Sequence, residues 1–151
     1  MLDMNILFVC SGNTCRSALA EALARKIAER RGIEDLNVSS AGTNAWDNAP
    51  ATDEALLVGM ERELDLTGHR ARKLTPAIVS EADLIFVMTP GHLEPVKQMG
   101  GRGKAHVIDE YASGAANQGI GDPYGGDLET YRHTADVLEQ ELEKLFDRLA
   151  S

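Results

Sequence analysis

Hydrophobic positions along the chain fall into two alternating patterns. Asn5 to Val9 is a near-continuous apolar run, Ile6-Leu7-Phe8-Val9, and reads as a strand buried on both faces. Asp83 to Met88 carries the same signature in Leu84-Ile85-Phe86-Val87, and Ala105 to Ile108 is a shorter fourth strand. Leu36 to Ala41 alternates instead, with Leu36, Val38 and Ser40 on one face, as an edge strand does. Between these runs the period becomes helical. Leu19, Leu23 and Ile27 predict a helix over Ala18 to Arg31, with Ser17 near its N-cap and Gly32 as its stop. Thr52, followed by Asp53 and Glu54, starts a helix to about Leu64. Thr75-Pro76 and Thr89-Pro90 each pair a capping threonine with proline at the first helical position, the second leading to about Met99. Leu128, Tyr131, Ala135, Leu138, Leu142, Leu145 and Leu149 trace one face of a long helix, Leu128 to Leu149.

Strands alternating with helices predict an α/β sandwich: a four-stranded parallel sheet with helices on both faces, in a single domain over 1–151. Right-handed crossovers gather the loops that follow the strands at one end, where open sheets of this class bind ligands. Three connections stay irregular: 42–51, 65–73 and 109–126. The last is eighteen residues long and glycine-rich, and such a loop in a compact domain is often functional.

Composition adds exclusions. Apolar residues make up 43% and charged residues 26%, ordinary for a globular protein. No apolar run approaches the roughly 18 residues of a membrane span. The N-terminus lacks the basic region of a signal peptide. Two cysteines, both within residues 10–15, make no disulfide framework and point to the reducing cytoplasm. A net charge of −9 argues against a nucleic-acid partner. The expectation is a monomer with no membrane or nucleic-acid partner, no cofactor and no metal. His92, His106 and His133 have no ligand spacing with one another or with the cysteines.

The chemistry concentrates in Cys10-Ser11-Gly12-Asn13-Thr14-Cys15-Arg16-Ser17, between the first strand and the first helix. A strand–loop–helix turn aims backbone N–H groups and the positive end of a helix dipole at one point, an anion cradle. Gly12 is expected to allow the sharp turn, and Asn13 to bond within the loop in a left-handed conformation. Cys10 supplies a thiol at the base of the cradle. Arg16, six residues on, can hold two phosphoryl oxygens bidentately. Ser17 can donate to the Cys10 sulfur or simply cap the helix. Transfer of a phosphoryl group to sulfur also needs an acid for the leaving atom and a base for the incoming water. Asp122, in the long loop and stiffened by Pro123, is the first choice, with Asp109 and Asp127 as rivals. Asp127 reads more simply as a cap of the last helix.

The octapeptide after a strand, together with Asp122-Pro123-Tyr124-Gly125-Gly126 before the final helix, resembles the low-molecular-weight protein tyrosine phosphatase family. Ser40-Ala41-Gly42, Gly68-His69-Arg70 and Ala82-Asp83-Leu84 extend the resemblance over nearly the whole chain. It implies a flavodoxin-like sandwich. Cys10 would be the nucleophile, Arg16 the phosphate clamp and Asp122 the general acid and then base. The substrates would be phosphorylated proteins, and inorganic phosphate the product.

Thr14 separates branches. Tyrosine phosphatases of this family commonly carry isoleucine there, whereas the bacterial protein arginine phosphatase branch resembles this chain in having threonine. A hydroxyl can bond a guanidinium or position the attacking water, where an apolar side chain suits a phenyl ring; the plain alternative is that Thr14 only packs or bonds within the loop. Tyr124 pulls the other way, being the aromatic typical of the tyrosine branch. Ala18 replaces a frequent proline, and Gly125 replaces a second tyrosine of many eukaryotic members. Trp46 is expected either to line the pocket wall or to pack half-buried. His69 either braces the loop, as the resemblance implies, or lies on the surface. Cys15 is either a small buried hydrophobe or the partner of Cys10 in a reversible disulfide, if their Cα atoms lie within about 7 Å. Rival functions are a thioredoxin-coupled arsenate reductase, which needs further cysteines, a phosphoprotein-binding module, which needs no thiol, and a nucleotide-binding flavodoxin-like protein, whose fingerprint is missing.

Overall fold

A computed structural model describes residues 3–114 and 119–150. Four parallel strands form one sheet: β1 (Met4–Cys10), β2 (Leu36–Gly42), β3 (Leu84–Val87) and β4 (Ala105–Val107), in spatial order β2-β1-β3-β4. The alternating Leu36 to Ala41 segment does lie at an edge, and β1 and β3, with their apolar runs, lie inside. Helices α1 (Arg16–Arg30), α2 (Asp53–Glu61), α3 (Pro76–Glu81), α4 (Leu93–Val96), α5 (Ile108–Ser113) and α6 (Leu128–Ala150) cover the two faces. The period-2 geometry of β1 divides the core. Ile6, Phe8 and Cys10 pack with Leu19, Leu23 and Ile27 of α1 and with Leu138, Leu142 and Leu145 of α6. Leu7 and Val9 face the other way, onto Val79 of α3 and Val96 of α4.

Several boundaries differ from the sequence reading. The helix after the cysteine loop begins at Arg16, not Ala18, with Cys15 at its N-cap and no side-chain cap. Ser17 therefore lies inside the first turn. Thr52 and Thr75 do cap α2 and α3, accepting from the N–H groups of Ala55 and Ile78. After Thr89, a 3-10 turn over Pro90–His92 leads into α4, and the helical course runs on to Met99, where expected, before Gly100 breaks it at φ 103°. The expected eighteen-residue loop is shorter, because Ile108–Ser113 forms α5. Positions 115–118 of that loop lie outside the described residues. No described helix is long and apolar enough to cross a membrane.

Parallel pairing sets Cys10 beside Gly42 and Val9 beside Val87, so the carboxyl ends of β1, β2 and β3 finish together. The loop that begins at Cys10 hangs from that end of the sheet.

Candidate active site

Residues 11–15 curl back over the end of β1. Their backbone is held by neighbouring strand ends: Thr43 N–H donates to Cys10 O and Asn44 N–H to Ser11 O, each at 2.9 Å. This approach requires Gly42. A Cβ there would stand 2.4 Å from Ser11 O and 3.0 Å from Asn13 N. The left-handed residue of the turn is Asn13, φ 58°, as expected; Gly12 does not adopt positive φ, and a Cβ there would meet Thr14 Oγ1 at 3.5 Å, an ordinary contact.

Asn13 is fully buried, and its side chain and carbonyl make four hydrogen bonds. Nδ2 donates to Ser17 Oγ (2.8 Å) and Ser40 Oγ (2.9 Å), and Oδ1 accepts from Arg72 N–H (3.0 Å). Its carbonyl accepts from His69 Nε2 at 2.6 Å, so His69 braces the loop from half-buried ground. This chain has a direction. Because Ser17 Oγ accepts from Asn13, its own proton is left for Cys10 Sγ, 2.9 Å away. Ser17 donates to the sulfur whenever Cys10 is a thiolate, and the expected capping role is absent because helix α1 has already begun.

Arg16 is 4% exposed. Nη1 donates to Ile120 O at 2.9 Å, and Nη2 lies 3.5 Å from Asp122 Oδ2. Nε is buried with no hydrogen-bond partner among the described residues. The Nε–Nη2 edge is the fork a guanidinium offers to a planar or tetrahedral anion, and an orphaned buried donor on it is costly unless an anion takes it.

Asp122 arrives from the far end of the chain. Ile120 N–H donates to Met88 O at the end of β3, and Gly119 N–H donates to Asp109 Oδ2. Gly119 has φ 79°, and a Cβ there would stand 2.5 Å from Met88 O. Asp122 Oδ1 accepts from Tyr124 N–H, which fixes the carboxylate in a turn at the cavity mouth. Of the rival acids, Asp109 is buried and accepts from the N–H groups of Glu110 in α5 and of Gly119. Asp127 accepts from Thr130 N–H and Thr130 Oγ1 at the start of α6, as a cap does.

These groups share one cavity of about 220 Å³, lined by Cys10, Ser11, Thr14, Arg16, Asp122 and Tyr124, together with Gly12, Cys15 and Asn44. The expectation for Trp46 needs correcting. It is 84% exposed and is not among the lining residues. Asn44 N–H donates to Ser11 O before it, and after it Asn48 N–H donates to Ala71 O and Asp47 Oδ1 accepts from Lys73 N–H, so both sides of that loop are pinned while the indole faces outward. Asn44, which the sequence reading passed over, stands in the wall instead. Thr14 lines the cavity, and its Oγ1 lies 3.8 Å from Cys15 Sγ.

Both cysteines are free thiols. Cys15 Sγ turns to Tyr131 OH (3.3 Å) and Thr52 Oγ1 (3.7 Å). Burial, followed by the bond to Cys15, pushes the Tyr131 hydroxyl well above its ordinary range, so it remains a donor.

His92 is the other residue that sequence reasoning missed. Its imidazole is buried, with Nε2 2.9 Å from Ser11 Oγ and Nδ1 3.2 Å from Thr89 N. Desolvation, then the Arg16 charge, lowers its pKa to about 4 against an opposing pull from Asp122. The signal in the sequence was its place three residues after Thr89, where a capping box puts a side chain that reaches back.

Residues 5–151 match the family described as low molecular weight phosphotyrosine protein phosphatase. The chain is 40% identical over 148 residues to a protein-arginine-phosphatase of Bacillus subtilis (strain 168), covering 97% of each. It is 36% identical over 129 residues to a low molecular weight phosphotyrosine protein phosphatase of Schizosaccharomyces pombe, covering 82% of this chain and 83% of that one. A solved structure of the YwlE arginine phosphatase, with a phosphorylated active-site serine replacing its cysteine, superposes with a TM-score of 0.93 at 39% identity, covering 98% and 97% of the two chains. The chain is a member of the low molecular weight phosphotyrosine protein phosphatase family, cysteine-dependent hydrolases of phosphoproteins.

Proposed function

We propose that this phosphatase acts on phosphoarginine in proteins, with Cys10, Arg16 and Asp122 as its catalytic residues. The observation that carries the reading is the convergence of a thiol, a buried guanidinium with an unpartnered Nε, a carboxylate and Thr14 on one small cavity. Cys10 thiolate attacks phosphorus in line. The P–N bond breaks as Asp122 delivers a proton to the departing guanidine nitrogen, and the phosphoryl group rests on sulfur. Loop N–H groups and the Nε–Nη2 edge of Arg16 hold its three equatorial oxygens. Asp122, now ionised, takes a proton from a water that attacks the phosphocysteine. The P–S bond breaks, the Ser17 hydroxyl donates to the returning thiolate, and inorganic phosphate leaves.

Thr14 supports arginine as the phosphorylated residue, because its hydroxyl gives a guanidinium N–H an acceptor within the cavity. The arginine phosphatase named above, alike over the whole chain, supports it too. Tyr124, exposed at the mouth, favours a second reading: a phosphotyrosine ring stacked on that aromatic. The test is phosphate release from a phosphoarginine peptide. Release by the wild type that vanishes in Cys10→Ala supports the assignment; full release by Cys10→Ala overturns it.

The free thiols fit a reducing cytoplasm, and the charge of −9 fits protein substrates in place of nucleic acid, with the enzyme acting as a monomer. Peroxide would convert Cys10 to a sulfenic acid, which condenses with the Cys15 thiol and releases water. Mass analysis of peroxide-treated enzyme checks this: a reducible Cys10–Cys15 link supports it, and oxygen retained on Cys10 with Cys15 free contradicts it.

A further inference from the structure

Ser11 and His92 form a pair the reaction above does not use. They come from different strand ends: Ser11 follows β1 and His92 lies in the turn after β3. The proton order between them is determined. Thr89 N–H can only donate, so the Nδ1 it reaches carries no proton. The buried imidazole is neutral, so its one N–H is on Nε2, and it donates to Ser11 Oγ. One lone pair of that hydroxyl is therefore taken. The second lone pair and the proton remain, on a residue that lines the cavity with Thr14. The imidazole is itself clamped. Thr89 and His92 close a capping box, and His92 N–H donates to Thr89 O at 3.1 Å.

We propose that Ser11 is a second specificity contact of the cavity and that His92 is its positioning residue, holding the Ser11 hydroxyl so that its remaining lone pair accepts an N–H from the guanidinium of phosphoarginine. This rests on the phosphoarginine reading. A guanidinium brings donors and no acceptors, so each of its N–H groups drawn into the cavity needs an oxygen. Thr14 supplies one from the fifth position of the loop, and Ser11 one from the second. An aryl phosphate brings no such donor and makes no use of either.

The experiment compares kcat/KM for a phosphoarginine peptide with that for p-nitrophenyl phosphate, in wild type, Ser11→Ala, His92→Leu, His92→Gln and the Ser11→Ala/His92→Leu pair. Ser11→Ala is expected to lose about tenfold more on phosphoarginine than on the aryl ester, mainly through KM, as for one hydrogen bond to a charged group. His92→Leu shows the same shift in ratio, and the double variant shows no further shift. Glutamine can accept from Thr89 N–H and donate onward, so His92→Gln keeps the wild-type ratio within about twofold. Ser11→Ala losing equally on both substrates overturns the proposal, as do additive shifts from the two sites. Thermal midpoints identify any variant that is merely unfolded, and Ser11→Ala alone decides the matter if His92→Leu is. A wild type that hydrolyses the aryl ester but not phosphoarginine instead overturns the substrate reading, and this contact with it.

Discussion

Arg16 Nη2 and Asp122 Oδ2 lie 3.5 Å apart across 106 residues of sequence, at the rim of one cavity. The pair joins the first βα turn to the last connection before α6. On the mechanism proposed above, this places the carboxylate beside the phosphoryl group held by the arginine, where it protonates the leaving group. Asp122→Asn keeps the shape and removes the proton. The expected result is a fall in kcat of about 10²–10³ with KM little changed, checked by steady-state kinetics on phosphopeptide. An unchanged kcat would reassign the acid.

Gly42 bears on the shape of the loop instead of its chemistry. Any Cβ at this position meets Ser11 O, Ala45 Cβ and Asn13 N at 3.0 Å or less, two of them backbone atoms that cannot rotate away. Gly42→Ala is expected to cost about 1–3 kcal/mol of stability and to impair phosphate binding, since the displaced atoms belong to the cradle. Denaturant melts and product inhibition by inorganic phosphate measure the two effects.

His92 leaves a mark on acid stability. Its pKa is about 4 when folded, against an ordinary value of 6.5. Between those values the unfolded chain binds a proton that the folded chain refuses, so stability falls as pH drops from about 6.5 to 4 and is unaffected by this group above that range. The full difference is about 3 kcal/mol. The groups acting on it are Arg16, which lowers the pKa, and Asp122, which raises it. His92→Gln is expected to lose this part of the acid slope in urea melts taken from pH 7 to 4. A slope identical to wild type would contradict a neutral imidazole.

The site was legible in the sequence where local spacing dictates it. A strand, a cysteine-to-arginine loop and a helix are consecutive, so their geometry is a local matter. Asp127 likewise capped its helix as its position suggested. What was missed depends on tertiary contacts. Helix α5 has no side-chain cap at Val107, and it is held by Ile108 in the core and by Tyr111 stacked edge-on against Phe86 at 4.9 Å. Ser17 looked like a cap because serine favours that role. The helix starts earlier, and the hydroxyl goes to Cys10. Trp46 faces out because two pinned backbone segments orient its loop, which no residue type announces. His92 and Asn44 entered the site from strand ends whose adjacency only the sheet order reveals.

Thr14 carries the central claim, because it is the loop side chain whose chemistry distinguishes a guanidinium from a ring. Threonine and isoleucine are close in volume, so Thr14→Ile tests the hydroxyl with little change of shape. The decisive measurement is kcat/KM for matched phosphoarginine and phosphotyrosine peptides in wild type and Thr14→Ile. Wild type is expected to prefer phosphoarginine, and the substitution to move the ratio toward phosphotyrosine by about 10–100-fold, the range of one or two lost polar contacts. A wild type that prefers phosphotyrosine, with the ratio unmoved by the substitution, would contradict the account.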